Sequence, residues 1–411
     1  MTSIVFYFQV HQPWRVSAEA AGAETLDGLF DQGLNRMVVD RVAERCYLPT
    51  NAVLLEAIRA TSGRFRCAFS ISGTALAQFE RWQPAVIESF RELVETGSVE
   101  LICETSHHSH AALAAPEEFA DQVALQQATL ERLFGTRPTA FRNTELVLDE
   151  SILRQVERLG FATVLGEGAD GLLGGRSPHL VWKPTAAPSL ALLLRDYSLS
   201  DDIGYRFSNR EWPGYPLFAD TYARWLADLP RDSPCVNLFM DYETFGEHQW
   251  AETGILEFLR ALPEECLRHP HLDFATPSAI AADHAPAGTI GYPRSYSWAD
   301  AERDISAWFG NPMQRDAHAA QYKLAERARG LASERPDLLE AWRCLTTSDH
   351  TYYMSTRFIH ESDGEVHDYF SHHESPYAAY SDFLGALRRL EEFLDSPPRA
   401  AAVAATEAPR R

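Results

Sequence analysis

Four short stretches of the sequence concentrate carboxylate and imidazole side chains: His11-Gln12-Pro13, Glu104-Thr105-Ser106-His107-His108-Ser109-His110, Arg142-Asn143-Thr144-Glu145, and Asp241-Tyr242-Glu243-Thr244-Phe245-Gly246-Glu247-His248. Side chains of these types suit proton transfer, attack by an ionised carboxylate, or metal binding. The chain has no Gly-rich phosphate loop and no GxSxG turn, which leaves nucleotide-dependent and serine-hydrolase chemistry without its usual signatures. Two carboxyl groups across a cleft are the common equipment for breaking a glycosidic bond: one attacks the anomeric carbon, the other donates a proton to the leaving oxygen. Trp14, Trp250, Trp298 and Trp308 offer flat apolar faces for sugar rings, although each one alone reads as packing. The rival reading is a metal-dependent hydrolase. His108 and His110, at i and i+2, together with His11 would supply three imidazoles and leave a zinc position open.

The elements that must hold these stretches follow a regular order. Apolar runs at Ile4–Phe8, Phe65–Ser70, Val99–Cys103, Thr139–Arg142, Ala162–Leu165, Leu190–Arg195 and Cys235–Met240 predict strands, with a weaker eighth near Asp273–Ala275. Helical spacing separates them. Asn51 is placed to cap a helix carrying Leu54, Leu55 and Ile58; Pro116 opens another that stops at Gly135; Asp149 caps a third carrying Ile152, Val156 and Leu159. Strands alternating with helices imply a parallel sheet covered by helices, and seven or eight of them suggest closure into a barrel. In a parallel barrel, functional side chains sit at the C-terminal ends of the strands. All four polar stretches fall there, after the first, third, fourth and seventh predicted strands.

The pattern changes near residue 295. From Trp298 to Arg343 it is helical, and Tyr377 to Leu394 reads as a last amphipathic helix. The expected organisation is a barrel over residues 1–290, a helical domain over 291–396 that packs on the barrel mouth, and an Ala- and Pro-rich disordered tail over 397–411.

The 411 residues are 45% apolar and 23% charged, ordinary for a chain with a sizeable core. With 37 basic and 58 acidic residues the formal net charge is −21, which disfavours nucleic acid and anionic membrane surfaces as partners. A neutral polar substrate is compatible with that charge. The N-terminus lacks a basic stretch before its apolar run, and no run reaches the ~18 apolar residues of a membrane span. The six cysteines form no CxxC pair and read as reduced, buried thiols, so a cytoplasmic location is expected.

The chain resembles glycoside hydrolase family 57, in its α-amylase-type branch. Five stretches carry the resemblance: HQP at 11–13, CETSHH at 103–108, FRNTEL at 141–146, MDYETFGEH at 240–248 and TSDHTYY at 347–353. The resemblance implies a seven-stranded (β/α) barrel followed by a helical domain, an α-glucan substrate and no cofactor or metal. It makes Glu145 the nucleophile and Asp241 the general acid/base of a retaining cleavage of α-1,4-glucosidic bonds. His11, Glu104, Glu243 and Asp349 correspond to positions lining the innermost sugar subsite. It leaves two alternatives open, a 4-α-glucanotransferase on the same site and a catalytically silent glucan-binding homologue. The nucleophile reading competes with Glu145 as a loop carboxylate, and the acid/base reading with Asp241 as a cap or ion-pair partner. For proton donation near neutral pH, the Asp241 pKa must be raised by burial or by an ionised Glu145. Asp349 lies in the helical region, so a role for it requires that region to reach the barrel mouth.

Overall fold

The computed structural model describes residues 1–357 and 371–396; the expected tail at 397–411 lies outside the described residues. Among the described residues ten strands run in the order β1 (Thr2–Val10), β2 (Cys67–Ile71), β3 (Val99–Leu101), β4 (Ala140–Arg142), β5 (Thr163–Glu167), β6 (Lys183–Pro184), β7 (Ala191–Arg195), β8 (Cys235–Asp241), β9 (Leu272–Phe274) and β10 (Thr289–Ile290). Parallel ladders join β3-β2-β1-β8 and β4-β5-β7. Two sparse seams close them into one seven-stranded barrel. At the first, Cys103 bridges Phe141 in parallel, with Arg142 N donating to Cys103 O at 2.9 Å. At the second, Asp196 N donates to Asn237 O at 2.9 Å and Asn237 Nδ2 to Leu194 O at 2.8 Å.

The weaker eighth strand exists but is not a stave of its own. β9 pairs with Thr2–Ile4 at the start of β1, while β2 takes up pairing only from Phe6. β6 and β10 form a separate two-stranded pair. The third strand is shorter than expected because Cys103 makes only its single bridge.

Alternation along the strands explains how the barrel becomes a site. Ile4, Phe6, Phe8 and Val10 pack outward under the helices, with Val236, Leu238 and Met240 of β8. Val5 and Tyr7 point inward, joined by Ala68, Ala140, Leu165, Leu193, Cys235 and Phe239. Carrying the same two-residue period toward the C-terminal ends puts Gln9, Ser70, Arg142, Glu167, Arg195 and Asp241 on the inner face. The interior therefore changes from apolar to polar along the barrel axis. Tyr7 marks the boundary, its hydroxyl bonded to Ser70 Oγ at 2.6 Å and to Gln9 Oε1 at 2.8 Å.

The helices at Pro116–Phe134 and Glu150–Arg158 start and stop as expected: Gly135 is left-handed, and the Asp149 side chain accepts from Ile152 N. Asn51 is not a cap. Its helix begins at Leu48, continuing directly from a wider turn over Ala43–Tyr47, and Asn51 is buried, accepting from Tyr242 Oη and donating to Ser89 Oγ. Beyond β10 the chain is helical at Ser306–Phe309, Pro312–Lys323, Ala325–Gly330, Pro336–Leu345, Ser348–Tyr352 and Pro376–Asp395. Trp298–Ile305, expected to be helical, is instead irregular, with Asp300 and Arg303 at positive φ. Trp342, Leu345, Phe383, Leu387 and Leu390 form the core of this part, with Trp14, Val16 and Phe30 from the segment after β1. No helix among the described residues is long and apolar enough to cross a membrane.

Candidate active site

The polar end of the barrel opens into a cavity of about 630 Å³, lined among others by His11, His108, Glu145, Asp241, Glu243 and Asp349. That volume suits a small ligand or a few units of a larger one. Five of the six residues named as site residues from sequence thus meet in one space. Glu104 does not line it. It is fully buried one layer behind, accepting from Gln9 Nε2 at 2.9 Å and facing His108 Nδ1 at 2.6 Å.

Glu145 sits on a one-turn 3-10 segment, Thr144–Leu146, directly after β4. Its backbone is left-handed, φ 58° and ψ 25°, a conformation that costs a non-glycine residue energy and persists only where surroundings enforce it. The enforcement is visible. Trp298 N donates to Glu145 O at 3.3 Å, and three side chains converge on the carboxylate. His108 Nε2 and Ser348 Oγ lie 3.2 and 3.0 Å from Oε1, while Trp298 Nε1 donates to Oε2 at 2.8 Å. Burial alone would raise this carboxyl's pKa. The hydrogen bond and charge of His108, together with Arg142, outweigh burial and hold it at about 2.

Asp241 is the last residue of β8, in ordinary extended geometry. Burial first, and then the charge of Glu145, push its pKa up to about 6, against the pull of Arg142, His108 and Arg195. Glu243 follows in the next turn, where Tyr47 Oη donates to its Oε1 at 2.5 Å and His11 N at 3.3 Å. Burial and the neighbouring Asp241 raise it to about 8. Asp349 comes from the helical part and accepts from His11 Nε2 at 2.9 Å; His11 Nδ1 faces Ser72 Oγ at 2.8 Å. Burial favours the neutral form of Asp349, but His11 and His108 hold its pKa below the usual range.

Arg142, fully buried with no hydrogen-bond partner on its guanidinium, contributes charge. Nη1 is 3.9 Å from Glu104 Oε2, and the guanidinium carbon lies 4.8 Å from the Trp298 ring centre. Trp298 and Trp308 line the cavity, whereas Trp14 packs on Trp82 and Phe30 and Trp250 is 61% exposed away from it.

The imidazoles of the metal reading do not aim their nitrogens at one shared position, although the His11 and His108 rings stack. Both ring nitrogens of His11 and of His108 are engaged as above, and His110 packs against Trp308 and Phe309. Among the described residues, the one group with metal-ligand spacing is His107, Glu340 and Cys344, which contains none of the three. His107 and His350 are structural, bonded to Glu340 and to Cys344 O. Sequence reasoning missed Ser348, although TSDHTYY contains it, and saw Trp298 as a stacking face and not as a donor to Glu145. It missed Tyr47 altogether, since nothing local marks it.

A parallel barrel whose open end holds two carboxyl groups with pKa values driven apart is the arrangement of a glycoside hydrolase site. The model of glycosyl hydrolase family 57 matches residues 5–293. A Methanocaldococcus jannaschii protein named "Putative alpha-amylase" is 40% identical over 403 residues, covering 95% of this chain and 84% of its own length. Among solved structures, the GH57-type branching enzyme of Pyrococcus horikoshii superposes with a TM-score of 0.69 at 14% identity, over 95% of this chain and 91% of that one. The 4-alpha-glucanotransferase of Thermococcus litoralis gives 0.60 at 16% identity, over 94% of this chain; this chain spans only 60% of that enzyme's length. At such identities the two structures speak for the fold. The chain belongs to glycosyl hydrolase family 57.

Proposed function

We propose that the protein is a retaining hydrolase of α-1,4-glucosidic bonds in α-glucans, with Glu145 as nucleophile and Asp241 as general acid/base. The observation that carries this reading is the pair of carboxyls on one cavity, one held at about 2 and the other pushed to about 6. The first stays ionised, ready to attack; the second still holds a proton in mildly acidic solution. In the first half-reaction a Glu145 oxygen bonds to the anomeric carbon while Asp241 protonates the departing glycosidic oxygen. In the second, Asp241 takes a proton from water as the water attacks the same carbon, and Glu145 leaves with its electron pair. Two displacements at one carbon retain its configuration. His11, Glu243 and Asp349 bind sugar hydroxyls around that carbon, and Trp298 and Trp308 present ring faces beside it. The barrel over 1–290 carries the chemistry and the helical region over 291–396 completes its mouth. A cytoplasmic location fits the six buried, unpaired thiols.

The test is a product time course on maltoheptaose and glycogen with the wild type, Glu145→Gln and Asp241→Asn. Shortened products from the wild type alone support hydrolysis. Longer oligosaccharides beside shorter ones reassign the same residues to transfer. No turnover by folded wild type leaves a binding protein.

A further inference from the structure

His108 takes no part in the two displacements, yet it touches the group that attacks. Its Nδ1 lies 2.6 Å from Glu104 Oε2 and its Nε2 3.2 Å from Glu145 Oε1. A neutral imidazole has one N–H to give, and an imidazolium has two. Flanked by a carboxylate oxygen at each nitrogen and almost wholly buried, the ring satisfies both neighbours only when doubly protonated. Glu104 is equally committed: it has no access to water, its other oxygen is taken by Gln9, and Arg142 stands 3.9 Å away. The backbone is committed as well. His108 is at φ 49°, left-handed like Glu145, and Ser348 N donates to its carbonyl at 2.9 Å.

We propose that Glu104 and His108 form a buried carboxylate–imidazolium support that holds Glu145 ionised and aimed, with His108 the positioning residue and Glu104 its counter-charge. The inference rests on the reading of Glu145 as nucleophile. Burial opposes the charge on His108, but Glu104 and then Glu145 raise its pKa to about 9. The remaining groups that face it agree. The His11 ring stacks at 4.0 Å and is kept neutral by burial and by His108 itself, so no second cation competes. His110, pushed by burial to about 3, is neutral too. Asp349 acts through His11, and Arg142 favours ionised Glu104, Glu145 and Asp241. The charge on Glu145 in turn raises Asp241, so the support behind one carboxyl sets the protonation of the other. When the glycosyl ester breaks, the electron pair returns to a Glu145 oxygen and His108 keeps its proton, stabilising the restored carboxylate.

Long-range proton–nitrogen NMR on the full chain labelled at histidine tests this without any substrate. At pH 7.5 one imidazole, assigned by its loss in His108→Gln, should carry protons on both nitrogens. In Glu104→Gln, that state should titrate away at least about one pH unit lower. A neutral His108 at pH 7.5 in the wild type overturns the proposal, whether or not the protein cleaves α-glucans. For the active enzyme, folded His108→Gln should raise the acidic limb of kcat/KM by at least about one pH unit, with KM changed less than about threefold. A merely structural histidine would lower activity at every pH and leave the limb in place, and that result also overturns it.

Discussion

The barrel end after β4 and the barrel end after β8 each deliver one carboxyl to the same cavity, but they are built differently. After β4 the chain turns through two left-handed residues, Glu145 and Leu146, and donors from three other segments meet the carboxylate. After β8 the strand simply runs out, and among the described residues no side chain or backbone group donates to the Asp241 carboxyl. Burial penalises the charged form at both positions. Only at Glu145 do a cation and hydrogen bonds reverse that penalty. Two residues of one chemistry thereby take opposite protonation states through their supports, and strain is concentrated where an ionised group must be held.

This contrast can be broken from either side. Glu145→Gln should cost the most, at least about 10⁴-fold in kcat on maltoheptaose and on an activated aryl maltoside alike, because a nucleophile is needed with any leaving group. Asp241→Asn should cost about 10²–10⁴-fold on maltoheptaose but far less on the aryl maltoside in the glycosylation step, whose leaving group needs no proton. Equal losses on both substrates would erase the distinction between the two carboxyls.

The pH profile sharpens the same point. Asp241 works as an acid only while protonated, so kcat/KM should fall tenfold per unit above about pH 6. Glu145 must be ionised, and with its pKa at about 2 the acidic decline should lie several units lower. In Asp241→Asn the alkaline decline should disappear. Trp298→Phe, which keeps the ring and removes the donor to Oε2, should lower kcat about 10- to 100-fold, the worth of a hydrogen bond to a charged group. Ser348→Ala should cost less, about 3- to 10-fold, since His108 still holds the same oxygen. Steady-state kinetics on maltoheptaose measures both.

Much of this was legible in the sequence. The seven strands of the barrel and the four polar stretches at their ends follow from short apolar runs separated by helical spacing, because burial on both faces of a parallel strand leaves a strong signature. Depth was not legible. Glu104 follows its strand as Glu145 follows β4, yet the chain passes through Ile102 and the bridged Cys103 and leaves Glu104 under His108, away from the cavity. Nor were the left-handed turns visible: glutamate is not a residue type that announces positive φ, and histidine, though enriched there, adopts negative φ at most positions. The link from Trp298 Nε1 to Glu145 spans 153 positions, and only the closed fold brings its ends together. Asn51 shows the reverse error: a good capping residue by type, it spends its side chain on Tyr242 and Ser89 in the core.

The central claim is that Glu145 is the group that bonds to sugar. Incubation of the wild type with a fluorinated maltosyl fluoride, which forms the glycosyl ester quickly and releases it slowly, followed by proteolysis and mass spectrometry, locates that bond. The account predicts one adduct, on the peptide containing FRNTEL and on Glu145 within it. An adduct on Asp241, Glu243 or Asp349, with Glu145 unmodified, would contradict it.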